Sequence, residues 1–243
     1  MMQNVAIGII CKQDTLLVGK RKSEPFSGKW EFPGGKVEIN ETCREALVRE
    51  FREEGKQEIK ITGLWGITPI TGSTPETHLH FYWVEPIGEF IPQIYDEIQW
   101  TDIDRLNDLD WIESNQLIVP MIQEVLNHPF PLITDTVFHT DEPAKLKMTL
   151  ENIINLMHDM SVMKNNIELV VNGPAIELLK QGSELSDQLS ECIKFDTKIW
   201  ACRNAMAAFD ITESHLIPGI ISVPSGVGRL TLLQGQGFGY IKP

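Results

Sequence analysis

The chain has 243 residues and a formal charge of −13, from 34 acidic against 21 basic side chains. That length exceeds a comfortable single domain of about 100–200 residues, so two modest domains are expected; a surface this acidic repels phosphate backbones, which argues against DNA or RNA as partners. No window reaches the roughly 18 apolar residues of a membrane helix, and the start, MMQNVAIGIICKQDTLL, has neither a basic leader nor a small-residue cleavage site, so a cytoplasmic location without membrane contact is expected.

Residues 5–10 (VAIGII) and 15–18 (TLLV) read as two short strands around the polar turn KQD. A helix is expected over 41–54, with Asn40 as its N-cap and Gly55 ending it in the left-handed conformation. THLHFYWV at 77–84 is a further strand; its His78 and His80, lacking a third ligand, read as strand surface and not as a metal pair. SNQLIVPMIQEVL at 114–126 has helical spacing, interrupted by Pro120. The prolines of NHPFPLI place the domain joint at about 127–133, giving domains at 1–129 and 133–243.

Beyond the joint the pattern is TVFH, KLKMTLENIINLMHDM, IELVVN, PAIELLKQ, SELSDQLSECI, TKIWAC, RNAMAAF and IISVP. Strands alternating with helices imply crossover connections, hence an α/β domain with a mainly parallel sheet. Cys11, Cys43, Cys192 and Cys202 stand far apart, without CxxC or a nearby histidine set, which fits free thiols.

The chemistry concentrates in EFPGGKVEINETCREALVREFREEG at 31–55. On a helix Glu50, Glu53 and Glu54 share a face, and carboxylates three and four residues apart repel one another unless a cation relieves them. Such hard oxygen ligands suit Mg²⁺ or Mn²⁺, shared with substrate phosphates. A solvated helix with Arg44, Arg49 and Arg52 pairing the acids is the competing reading. Pro33, Gly34 and Gly35 favour the site, because they set exposed peptide groups just before the helix.

Gly35, Glu41, Arg49, Glu50, Phe51, Glu53 and Glu54 stand at the spacing G-x5-E-x7-R-E-U-x-E-E, U being apolar. The stretch thereby resembles the Nudix box, and WEFPGGKVE is similar to its MutT-like branch. One departure is clear: the family continues x-G-U, whereas here Gly55 comes one place early and Lys56 and Gln57 follow. The resemblance implies a Nudix fold, a mixed sheet between helices, and hydrolysis of a nucleoside diphosphate linked to a further group. It implies Glu50, Glu53 and Glu54 as ligands of the divalent ion, Glu50 also as base, the Gly35 carbonyl as a ligand, and Glu41 and Arg49 as structural partners. A fourth acid is expected from DEIQW, with Glu97 preferred over Asp96. The MutT-like branch further implies Arg21 on the phosphates and Asn115 on a purine edge, with Phe32 lining the base pocket. Asn115 also reads as a helix cap, and Arg21 as a surface charge. A small-molecule triphosphate is the implied substrate, 8-oxo-dGTP or a cytidine triphosphate, cleaved to a monophosphate and pyrophosphate. One alternative is a domain that binds nucleotide without cleaving it, on an oligomeric scaffold; another is a sulfur-transfer protein with an auxiliary nucleotide site.

IELVVNGPAIELL, TKIWACRNAMAAF and VPSGVGRLTLLQGQGFGYIKP resemble the DsrE/DsrF-like family over about 134–243. That resemblance implies homo-oligomers, trimers or hexamers, and associates the position of Cys202 with sulfur relay. Cys202 stands between an apolar strand and a helix start, where amides and dipole favour a thiolate; it reads equally as a small buried apolar residue. Cys192, inside a helix, reads as structural. SGVGRL lacks the lysine of a phosphate loop and does not clearly lead from strand to helix, so no such loop is expected.

Overall fold

Ala6, Ile7, Ile9 and Ile10 are all buried, as a strand covered on both faces requires. In the computed structural model, which describes residues 3–70, 73, 75–88, 95–127 and 133–243, they lie on or just after β1 (Gln3–Ile9). This strand runs parallel to β7 (Thr77–Ile87) and antiparallel to a short β5 (Gly34–Lys36), while β6 (Glu58–Ile70) pairs antiparallel with β7. The result is a mixed sheet ordered β5-β1-β7-β6. A second, antiparallel sheet joins β2 (Cys11–Lys12), β3 (Thr15–Arg21) and β4 (Trp30–Glu31), with β8 (Tyr95–Asp102) on the other side of β3. Trp65, Phe81, Trp83, Phe32 and Trp111 fill the core of this half.

The glutamate helix α1 spans Cys43–Gly55 and starts later than the sequence suggests. Thr42, not Asn40, is its N-cap: the Thr42 hydroxyl accepts from Glu45 N–H and Glu45 accepts from Thr42 N–H, at 3.2 and 2.8 Å. This reciprocal pair satisfies two amide donors together, which Asn40, at φ 71°, does not do. At the other end Lys56, not Gly55, takes the left-handed conformation, φ 49°. Lys56 occupies the position where the Nudix box has glycine, the residue that takes this conformation most easily. Gln57, standing at the family's apolar position, is buried, and its amide donates to the carbonyls of Glu58 and Ile87.

The expected helix at 114–126 is two: α2 (Glu113–Gln116) and α3 (Val119–Leu126). Pro120 sits in the first turn of α3, where a missing N–H costs nothing, so it starts a helix and does not interrupt one. His80 is fully buried, its Nε2 3.1 Å from Asn4 Oδ1, and so is not strand surface. The joint expected at 127–133 lies largely outside the described residues. Contacts divide the chain into one unit of residues up to 132 together with Asp159–Met163, and another of 133–158 and 164–243.

The second unit is a five-stranded sheet in the order β12-β11-β10-β9-β13. Its strands are β9 (Ile133–Thr140), β10 (Met163–Val171), β11 (Lys198–Cys202), β12 (Ile221–Val223) and β13 (Gly239–Ile241), with parallel pairing of β10 to β11, β11 to β12 and β13 to β9. Helices α4 (Pro143–His158), α5 (Ser186–Lys194), α6 (Arg203–Ala208) and α7 (Gly226–Gly235) connect them. PAIELLKQ forms a 3-10 turn, Gly173–Leu179, where an α-helix was expected. SGVGRL does lead from strand into helix, since Ser225 caps α7 through Gly228 N–H, which corrects that ground for setting it aside; the missing lysine stands. Among the described residues no helix is long and apolar enough to cross a membrane.

Candidate active site

Gly35 on β5 lies against the start of the acidic row. A Cβ on it would fall 2.1 Å from the Glu50 carboxyl carbon and 2.2 Å from Oε1. Only glycine allows bare backbone to reach that carboxylate. Arg49 fastens the same corner: Nε and Nη2 hold both Glu41 oxygens at 3.1 and 2.7 Å, Nη2 holds the Lys36 carbonyl at 2.9 Å, and Nη1 reaches Glu50 at 2.9 Å and Glu53 at 3.2 Å. The Arg49 hydrogen bond holds the Glu41 carboxyl below its usual range. Arg52 turns away to Glu58, and Arg44 stacks over the Tyr82 ring. Of the arginines in the competing picture, Arg49 thus reaches Glu50 and Glu53, while Arg52 is paired with Glu58.

Glu54 is held differently. Burial and the neighbouring carboxylates of Glu50, Glu31 and Glu53 push its pKa up to about 8, against a smaller opposing pull from Arg21. Glu31, only 9% exposed, bonds Arg21 Nη1 at 2.7 Å. Burial still raises the Glu31 pKa despite that bond. The corner therefore gathers more negative charge than its guanidinium groups neutralise, which is the condition a divalent cation relieves. The side chains do not yet close a cage: among the described residues no three acids, histidines or cysteines are gathered to hold an ion, and Glu53, 62% exposed, is drawn onto Arg49. The donors are hard oxygens, Glu50 and Glu54 foremost with the backbone of Gly35, and these suit Mg²⁺ or Mn²⁺.

Glu97 pairs with Lys20 across the β3–β8 ladder, at 3.8 Å. Lys20 and Arg21 are adjacent, on either side of an irregular step in the β3–β8 register. It is Arg21 that pairs with Glu31, and the strand residue brought among the acids is Tyr95. Sequence reasoning missed Tyr95 and Glu31. The first needs the register of β3 on β8, which slips between Lys20 and Arg21; the second stood in view as the first residue of EFPGG.

Asn115 is buried in α2 and is not a cap; its Oδ1 accepts from Phe32 N–H at 2.7 Å. The bond ties α2 to the loop that carries Gly34 and Gly35. Phe32 is itself buried and stacks on Trp111, ring centroids 4.8 Å apart. Both therefore line the core side of the loop.

In the second unit Cys202 ends β11 directly before α6 and is buried. Its Cβ and that of Asn172 lie 3.2 and 3.3 Å from where a Cβ on Gly226 would stand, so three strand ends meet there. Asn172 Oδ1 is 3.0 Å from His139 Nε2, and His139 Nδ1 is 2.7 Å from the Tyr240 hydroxyl. Cys192 is fully buried in α5, and burial lifts its thiol to about 12, as a structural cysteine requires.

The family model of the NUDIX domain matches residues 2–122, and that of the DsrE/DsrF-like family matches 132–243. An ADP-ribose pyrophosphatase of Methanocaldococcus jannaschii is 42% identical over 72 residues, 30% of this chain and 43% of that protein. A putative 8-oxo-dGTP diphosphatase 2 of Mycobacterium tuberculosis is 31% identical over 128 residues, 51% of this chain and 91% of that protein. A CTP pyrophosphohydrolase of Escherichia coli is 46% identical over 54 residues, 22% of this chain and 40% of that protein. The chain thus spans less than half the length of the first and third of these relatives.

Proposed function

We propose, for a chain that belongs to the NUDIX family in its first half and is DsrE/DsrF-like in its second, that the first half is a nucleoside triphosphate pyrophosphohydrolase. With Mg²⁺ or Mn²⁺ it releases a nucleoside monophosphate and pyrophosphate. The observation that carries this reading is the contact of Gly35 backbone with the Glu50 carboxylate, beside a Glu54 left among like charges. The ion would be held by Glu50, Glu54 and the Gly35 carbonyl, with Glu53 joining once it leaves Arg49, and it would lower the pKa of an attacking water. Glu50 takes the proton of that water, Arg21 meets the phosphates, and Phe32 and Asn115, bonded to each other on the core side, back the base pocket from within. Glu97 remains the proposed fourth acid. The names of the relatives support 8-oxo-dGTP first and cytidine triphosphates next, with ADP-ribose as the contrast. Pyrophosphate release over such a panel with Mg²⁺ tests the reading; Glu50→Gln should abolish it. Binding without product would assign a nucleotide sensor.

Cys202 supports a second activity for the other half. It lies at the carboxyl end of a parallel strand, where ligands of open α/β sheets bind. The thiolate would attack the outer sulfur of a persulfide donor, breaking its S–S bond, so that Cys202 carries the persulfide and the donor leaves as a thiolate. Mass spectrometry should find added sulfur on the parent protein and none on Cys202→Ser. Domains at 1–129 and 133–243, assembly as trimers or hexamers through the second, and a cytoplasmic setting that keeps thiols reduced complete the proposal.

A further inference from the structure

Tyr95 opens β8 and faces Arg21 across the ladder, at the register slip between Lys20 and Arg21. Its ring lies flat over Gly19, where a Cβ would stand 2.6 Å from three ring carbons. The backbone of β3 therefore fixes where the hydroxyl goes. That hydroxyl is buried, the residue being 9% exposed, and has no hydrogen-bond partner among the described residues. Buried hydroxyls are rarely left unpaired, and each exception calls for an explanation. A second orphan accompanies it: among the described residues Arg21 Nε is buried and without a partner, although the same guanidinium bonds Glu31 through Nη1.

The phenol feels the charges of Glu31, Glu54, Arg21 and Glu50, and its O–H is a donor by its own chemistry. Two fixed donors next to an acidic corner that calls for a cation match the two kinds of partner a metal-bound phosphate needs.

We propose that Tyr95 is a substrate-positioning residue whose hydroxyl donates to a phosphate oxygen of the nucleotide held at Glu50 and Glu54, alongside Arg21 Nε. This rests on the hydrolase reading and extends it to a residue that the Nudix box does not contain. No bond is made or broken at Tyr95; it holds the phosphate chain in register with the ion.

Tyr95→Phe is the test, because it removes one oxygen and keeps the ring over Gly19. Steady-state kinetics should show kcat/KM lower by roughly tenfold to a hundredfold, mostly as a higher KM. The thermal midpoint should stay level or rise, since the atom removed has no partner to lose. A merely structural tyrosine would leave the kinetics alone, so kcat and KM both within twofold of the parent would overturn the proposal. Gly19→Ala, which drives the ring from its seat, should lower kcat/KM in the parent and add little in the Tyr95→Phe background; additive losses would count against it. If the parent cleaves no nucleotide, the hydrolase reading has failed on its own. Calorimetry with Mg²⁺ and a methylene-bridged triphosphate then decides for Tyr95: weaker binding by the variant supports the role, and equal binding refutes it.

Discussion

Each half draws a carboxylate out of open water, Glu168 fully and Glu54 in part, and they treat it in opposite ways. Glu168, 2% exposed in β10, accepts from Trp200 Nε1 and from Arg229 Nη2, each at 2.6 Å, and lies 3.9 Å from Lys198 Nζ. Arg229 also stacks over the Trp200 ring at 4.1 Å. Glu54 has like charges around it and a pKa pushed up to about 8. A buried charge that serves the fold finds its compensation inside the chain; one that serves a reaction leaves room for a counter-charge from outside. One chain holds both arrangements, and the contrast is in keeping with the site proposed at Glu54.

Substitution should separate the two carboxylates most clearly. Glu54→Gln is expected to cut pyrophosphate release by about a hundredfold or more, because a ligand charge is lost, while the unfolding midpoint at pH 8 rises. A fall in both would mean that Glu54 is structural. Glu168→Ala should do the reverse: a loss of about 3 kcal/mol in denaturant unfolding, since Arg229 and Trp200 are left without their acceptor, with nucleotide turnover per folded molecule unchanged. Next comes pH. The Glu54 pKa is raised from an ordinary 4.5 to about 8, so its contribution to stability is full below about pH 4.5 and is lost as the pH rises through about 8. Melting without divalent ions should show that decline, and millimolar Mg²⁺ should reverse it by favouring the charged form; a flat profile would deny the unpaired charge. The smallest effect is at the helix exit. Lys56→Gly relieves a left-handed residue and should stabilise by about 1 kcal/mol, with activity unchanged.

What the sequence revealed follows the range of each interaction. The glutamate row, Gly35 and the Arg49–Glu41 pairing lie within one short segment, and helical spacing alone relates them. The alternation of strand and helix after residue 133 was equally plain. Tyr95 was hidden because its place depends on pairing with Arg21, far away in sequence and across an irregular register. β13 was missed for the same reason, since Gly239–Ile241 becomes a strand only by pairing with Thr136–Phe138. The cap at Thr42 was legible: Thr42 and Glu45 are the capping-box pair, and choosing Asn40 overlooked it. Asn115 shows a different limit, since its type suits a base edge and a buried backbone bond alike, and only the position of Phe32 N–H decides what its oxygen does.

The fan of bonds from Arg49 divides by nitrogen. Nε and Nη2 grip Glu41 and Lys36, whereas Nη1 alone serves Glu50 and Glu53. A cation that claimed those two acids would free one prong and leave the other two clasped, so the glycine loop would stay anchored before and after the ion arrived. The guanidinium would then be a placeholder that steps aside without letting go.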